Sequence, residues 1–260
     1  MKNVFLAFVL VRAASIYAQD SSSIDPNKFF GSHKGAMVIF NQSTGKYLRI
    51  NEKRSKERFL PASTFKILNS LIGLETGVIT DENYVIKWDG IIRPVEEWNR
   101  DHTLATAIKY SVVPYYQELA RRVGRQKYRE YLNKIHYGNG KLGKQIDAFW
   151  LDNSLKISAE EQVEFLKTFY NYKLPFSKRS IDLVKQIIPM EKVNSSVMKF
   201  KTGVGTKEDE TYVGWIVGYF EEEKNVYFYA FNIDAKTIDE VKKLRDIIFR
   251  EILKQLKLIQ

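Results

Sequence analysis

A serine and a lysine three residues apart can act as nucleophile and base, provided something strips the lysine of its charge. The chain contains three such pairs: Ser43 with Lys46, Ser63 with Lys66, and Ser196 with Lys199. The bare spacing therefore says little, and context must separate them. Ser43 falls in Asn41-Gln42-Ser43-Thr44-Gly45, a turn composition in which a serine bonds local backbone. Ser196 leads into a strand-like stretch, where residues three apart point to opposite faces. Ser63 follows Pro61-Ala62 and precedes Phe65, Ile67, Leu68, Leu71, Ile72 and Leu74, a helix apolar nearly all round and hence buried. At its first turn Ser63 meets unpaired backbone N–H groups, and Lys66 lies over the same face. Burial disfavours the ammonium, so Lys66 is expected to lose its proton and to take that of Ser63. The pair alone admits a plainer reading, with Ser63 a helix cap and Lys66 reaching out to water.

Competing chemistries find less support. The only histidines are His33, His102 and His136, there is no cysteine, and neither His-Glu-x-x-His nor Gly-x-Ser-x-Gly occurs. No metal site is expected from such a set, and the glycine patterns that cradle phosphates are absent.

The elements that must position Ser63 follow from pattern. Ala36 to Phe40 and Lys46 to Ile50 read as a hairpin, and residues from about 63 to 190 as mainly helical. Ser158-Ala159-Glu160-Glu161 is a capping box ahead of Val163, Phe165, Leu166 and Phe169. Strands return at Met198 to Thr202, Tyr212 to Gly218 and Val226 to Ile233. Thr237-Ile238-Asp239-Glu240 then caps a last helix with apolar residues at 241, 244, 248 and 252. Strands at both ends and helices between them predict an α+β fold: one antiparallel sheet built from both termini, flanked by helices, with an inserted helical lobe.

With 260 residues, 44% of them hydrophobic, the chain can bury a substantial core. Lys2, the apolar stretch Val4 to Val11 and the small residues Ala13, Ala14, Ser15 and Ala18 predict a secretory signal over residues 1–18, cut after Ala18. Arg12 interrupts the apolar stretch, and a buried N-terminal helix is the alternative. Residues 19–260 then form a single domain, exported across the inner membrane to the periplasm. No apolar run reaches the roughly 20 residues of a membrane span, so stable membrane insertion is not expected. The net charge of +10 drops to +8 without Lys2 and Arg12. The basic residues are scattered among acids, which predicts a solvated basic surface and no nucleic-acid partner.

Further motifs arrive in order: Ser111-Val112-Val113 after a helical stretch, Tyr137-Gly138-Asn139 in a glycine-rich loop, and Lys201-Thr202-Gly203 at the end of a strand. With Pro61-Ala62-Ser63-Thr64-Phe65-Lys66, the Trp98-Asn99-Arg100-Asp101-His102-Thr103 segment and the stretch from Trp150 to Ser158, they resemble the class D, or oxacillinase-type, serine β-lactamases. The likeness spans about residues 35 to 250 and decides between the two readings of Ser63. It implies a β-lactam small-molecule substrate, acylation of Ser63, and hydrolysis of the resulting ester. It also implies that Lys66 carries a carbamate formed from carbon dioxide, with no other cofactor and no metal. Trp150 matches the indole that supports this group and Val113 the apolar wall that keeps it dry. Ser111 matches the hydroxyl that relays a proton to the leaving nitrogen. The backbone N–H groups of Ser63 and Val204 match the oxyanion hole. Lys201, Thr202 and Gly203 match the strand edge that meets the substrate carboxylate, with Arg245 as its guanidinium partner. Arg245 also reads as a surface residue of an amphipathic helix, and Trp150 and Val113 as core packing. Trp98, Tyr137 and Asn139 are expected at the pocket margin.

The resemblance leaves neighbours to exclude. A penicillin-sensing receptor domain shares most of these motifs but stays acylated, and a DD-peptidase acts on peptidoglycan stems. A class A β-lactamase has Ser-Asp-Asn where this chain has Ser111-Val112-Val113.

Overall fold

The computed structural model describes residues 25–193, 196–222 and 225–259; the expected signal segment, residues 1–18, lies outside the described residues. A short helix, α1 (Asn27–Phe30), precedes the hairpin β1 (Gly35–Asn41) and β2 (Lys46–Ile50), followed by α2 (Glu52–Ser55). Helix α3 (Lys66–Glu75) opens the lobe, and a two-strand ladder of β3 (Val85–Ile86) and β4 (His102–Thr103) leads into α4 (Leu104–Lys109). Then come α5 (Val113–Val123), α6 (Arg125–Ile135), α7 (Ala159–Tyr170) and α8 (Lys178–Ile187). Strands β5 (Met190–Val193), β6 (Ser196–Thr206), β7 (Tyr212–Glu222) and β8 (Asn225–Ala235) follow, and α9 (Ile238–Gln255) ends the fold.

The sheet runs β2-β1-β8-β7-β6-β5 with every neighbour antiparallel, so β1 from the N-terminal side pairs with β8 from the C-terminal side, Val38 opposite Ala230. This is the α+β architecture that the sequence pattern leads one to expect. Both faces of the sheet are covered. Val38, Val217, Phe228 and Ala230 join the core under the helical lobe, while Met37, Ile39, Phe231 and Ile233 pack beneath α1 and α9. Two-sided burial explains why β7 and β8 read as nearly continuous apolar runs instead of alternating ones.

The middle of the chain is less continuously helical than its composition suggests. Residues 76–103 and 136–158 carry only short turns and the β3–β4 pair. Strand β5 escapes the pattern because four residues behind Pro189, with Glu191 and Lys192 among them, leave no apolar period to read.

Candidate active site

The path into the site is pinned before it reaches Ser63. Phe59 and Ile157 exchange backbone hydrogen bonds, the Trp215 indole donates to the Leu60 carbonyl at 3.0 Å, and Ala62 N–H donates to the Trp150 carbonyl at 3.1 Å. Ala62 is thereby held at φ 47°, in the left-handed region that non-glycine residues rarely adopt. Ser63 is not in the first turn of the α-helix, as expected, but in a 3-10 turn, Ala62–Phe65, with Lys66 opening α3 behind it. The difference matters, because a 3-10 turn nearly eclipses side chains three apart. Lys66 Nζ lies 2.7 Å from Ser63 Oγ.

Lys66 has no exposed surface, and every residue of α3 from Lys66 to Leu74 is buried. Burial first, and the charge of Lys201 second, hold its pKa well below the ordinary lysine range. The Tyr116 ring lies 5.3 Å from its amine, tied by its hydroxyl to Ser70 at 2.9 Å, and Ser70 in turn donates to the Lys66 carbonyl.

Strand β6 closes the opposite side. A side chain on Gly203 would come within 3.1 Å of the Pro61 carbonyl oxygen and 3.2 Å of the Ser63 nitrogen, so glycine there gives the strand a close approach to the nucleophile's turn that a Cβ would crowd. A Cβ on Gly205 would meet Leu60 at 2.6 Å. Val204 sits between these glycines. Lys201, 3% exposed, donates to the Thr202 carbonyl at 3.0 Å. Burial, helped by the charge of Arg245, lowers its pKa to about 7. Arg245 is itself buried on α9, bonded to neighbouring Asp246 at 2.9 Å, and lines a small cleft together with Thr202 and Phe200.

Ser111 occupies the junction of α4 and α5, both of which pack on α3, and it too adopts a left-handed backbone, φ 55°. Val113, half-buried, is the first residue of α5. Trp150 is fully buried, stacked on Phe65 at 5.7 Å, and its indole N–H has no hydrogen-bond partner among the described residues. Leaving such a donor unpaired in a core costs on the order of 1–3 kcal/mol. A fully buried Lys66 amine, and an unpartnered indole N–H on the ring that stacks on neighbouring Phe65, are features that fit a carbamate on Lys66.

The three expected margin residues divide. Trp98 is half-buried, with its indole bonded to the Tyr110 carbonyl at 3.3 Å, and it lines a cleft with Trp88, Arg100 and Val112. Tyr137 is not at a margin: it is 2% exposed and packs edge-on against Phe65 and Phe165, because its ring fills the core behind the Ser63 turn. Asn139 works as a loop clamp, its side chain bonding Ser154 carbonyl and the backbone N–H groups of Lys141 and Lys156. Sequence reasoning missed Thr64 and Gln162, whose side chains join at 2.9 Å behind Ser63; no local pattern links residues 98 apart. Among the described residues no group of three or more His, Asp or Glu side chains could hold a metal ion, and no helix is long and apolar enough to cross a membrane.

The penicillin binding protein transpeptidase domain family matches residues 35–254. Beta-lactamase OXA-48 of Klebsiella pneumoniae is 43% identical over 258 residues, covering 98% of this chain and 97% of that protein. The regulatory protein BlaR1 of Bacillus licheniformis is 40% identical over 214 residues, 82% of this chain but 35% of its own length. The crystal structure of a class D β-lactamase from Sebaldella termitidis superposes with a TM-score of 0.86 at 38% identity, covering 90% of this chain and 96% of that one. Kinship over nearly the whole length, together with a shared fold, makes this chain a member of the penicillin-binding transpeptidase family and, within it, a class D serine β-lactamase, a hydrolase of the β-lactam amide.

Proposed function

We propose that the chain hydrolyses penicillin-type β-lactams through an ester on Ser63, with Lys66 in its carboxylated form as the base for both acylation and deacylation. The observation that carries this reading is a fully buried lysine amine 2.7 Å from a serine hydroxyl, with an unpartnered indole N–H in the adjoining core.

Ser63 Oγ attacks the lactam carbonyl carbon and gives its proton to the Lys66 side chain. The backbone N–H groups of Ser63 and Val204 receive the developing oxyanion, where losing one donor typically costs about a hundredfold or more. The ring C–N bond then breaks, and Ser111 passes a proton to the departing nitrogen. Water cleaves the ester and frees Ser63. When bound on Lys66, the carbamate supplies a carboxylate-like general base near neutral pH. Trp150 would donate to it, and Val113 would exclude bulk water. Lys201, Thr202 and Gly203 at the β6 edge, with the Arg245 fork, hold the substrate carboxylate. The strained backbones of Ala62 and Ser111 accord with these roles, since such strain collects at functional sites.

The test is ¹³C-bicarbonate NMR in parallel with turnover. A carbamate signal that needs Lys66, and bicarbonate-dependent activity most visible at low pH, are expected. Unchanged activity in carbon-dioxide-depleted buffer, with no such signal, would falsify the modified-lysine mechanism.

The kinship with a regulatory protein favours one alternative, a stoichiometric penicillin receptor that stays acylated. The signal-like residues 1–18 support export to the periplasm and a mature domain of residues 19–260. N-terminal sequencing of the periplasmic fraction checks this, with residue 19 expected first and an intact residue 1 in the cytoplasm contradicting it.

A further inference from the structure

Behind the Ser63 turn lies a buried polar chain that the reaction steps leave unused. Thr64 Oγ1 donates to the Pro61 carbonyl at 2.7 Å and accepts from Gln162 Nε2 at 2.9 Å. Thr64 and Gln162 are each 1% exposed. Gln162 comes from the first turn of α7, whose start is fixed by the reciprocal bonds of Ser158 and Glu161. Tyr137 fills the remaining space, its hydroxyl turned toward Thr64 and Gln162 without a well-formed hydrogen bond of its own. An apolar side chain could occupy the Gln162 position without the desolvation cost of an amide, so the retained donor calls for a reason.

Its bonds converge on strained backbone. The Pro61 carbonyl accepts from both the Thr64 hydroxyl and the Thr64 N–H, the latter at 3.1 Å. The next residue, Ala62, is the one held left-handed, with its N–H on Trp150. The nitrogen after that belongs to Ser63 and faces β6 at Gly203. Release of the Pro61 carbonyl would let Ala62 relax toward ordinary φ and swing the Ser63 N–H away from the strand.

We propose that Thr64 and Gln162 are positioning residues for the backbone N–H of Ser63: bonded to each other and to Pro61, they hold the turn in the strained form that aims this donor at the oxyanion. The proposal rests on the reading of Ser63 as the acylated residue. Misaiming a donor by a fraction of an ångström costs about tenfold to a hundredfold in rate.

Three variants test it. Thr64→Val removes the hydroxyl at nearly constant shape, Thr64→Ser restores it, and Gln162→Met keeps length without the donor. Thr64→Val and Gln162→Met are expected to slow single-turnover acylation about tenfold to a hundredfold. They should weaken a serine-trapping boronic acid, which forms a tetrahedral adduct, by a similar factor. The affinity for unreacted penicillin, measured on a Ser63→Ala background, should stay within about twofold, because ground-state binding does not use the oxyanion donor. Thr64→Ser should acylate within about threefold of the parent. A merely structural role lowers the melting temperature but leaves acylation and boronate affinity intact, and that result overturns the proposal; so does an equal loss in Thr64→Ser. Should Thr64→Val not fold, Gln162→Met gives the same readings. A parent protein that forms no adduct at all overturns the Ser63 reading instead, whereas normal parental adducts with an unimpaired Thr64→Val and Gln162→Met overturn only this inference.

Discussion

Lys66 and Lys201 are both buried, the charge of the second acts on the first, and burial shifts both in the same direction. Lys201 falls to about 7, so as pH rises through that value the free enzyme loses the ammonium that we propose meets the substrate carboxylate. Substrate affinity is therefore expected to weaken above pH 7, with Arg245 retaining part of it; a pH-independent inhibition constant for a carboxylate ligand contradicts this. The same shift is a stability statement. Lys201 binds fewer protons folded than unfolded between about 7 and its ordinary 10.5, so its cost is fully present below 7 and fades as pH rises toward 10.5. Lys201→Met should accordingly raise the melting temperature at pH 6, with a gain that shrinks by pH 10, while impairing turnover. An unchanged or lower melting temperature at pH 6 would count against a destabilising buried cation. Trp150→Phe keeps the stack on Phe65 and removes the unpartnered N–H. Activity at ambient carbon dioxide should fall about tenfold and recover substantially with bicarbonate, in keeping with the loss of one supporting donor; a loss insensitive to bicarbonate would assign Trp150 to packing alone. The Ser63–Lys66 couple stood out from the other two pairs because its spacing sits in a stretch apolar nearly all round, and the motifs that follow it in order decided its reading. Tyr137, placed at the margin by resemblance, lies in the core instead, since a tyrosine in a glycine-rich loop gives no sign of the cavity its ring will fill.

At the scale of elements, helix starts were legible where the cap is local. Ser158 and Glu161 form the expected reciprocal box, and Ser158→Ala should destabilise the fold by about 1 kcal/mol in urea titrations. Thr103 and Thr106 form an equivalent box that no Ser/Thr-x-x-Glu pattern reveals. Thr237 makes only half of its box, because the Glu240 carboxylate bonds the Lys236 N–H instead of that of Thr237. Glu75 lies beyond sequence reading altogether. Its carboxylate, at the end of α3, accepts from the Ser177 N–H and from the hydroxyls of Ser177 and Ser180, and so caps α8 from about a hundred residues away. Those bonds outweigh desolvation and hold its pKa below the usual carboxylate range. The stabilisation is present above the unfolded pKa and is lost as pH falls through the lowered folded value. Glu75→Gln should therefore cost about 1 kcal/mol near pH 7, discounted for its partial exposure, and almost nothing once the wild-type carboxyl is protonated. A deficit that persists unchanged once the pH is low enough to protonate the wild-type carboxyl would mean that shape, not charge, is what matters there.

At the scale of the molecule, the sheet that joins both termini was readable from strands at each end of the chain. The ties that lock those ends together were not. Arg54, from α2, donates to Asn232 at 2.8 Å and bidentately to Asp234 at the end of β8, with both ionic side chains almost fully buried. Removing one partner leaves a buried charge unmatched, so Asp234→Ala should cost about 3 kcal/mol, measured as a lower urea midpoint. The closed frame gives the Ser63 turn and the β6 edge a fixed separation, within which the proposed ester on Ser63 forms and is hydrolysed. The most direct measurement mixes the protein with excess penicillin and follows intact mass and ring opening together. A transient adduct on Ser63, absent from Ser63→Ala, that decays while many equivalents of penicillin are opened is the predicted result; a long-lived adduct with a single equivalent opened, or no adduct on the parent protein, would contradict it.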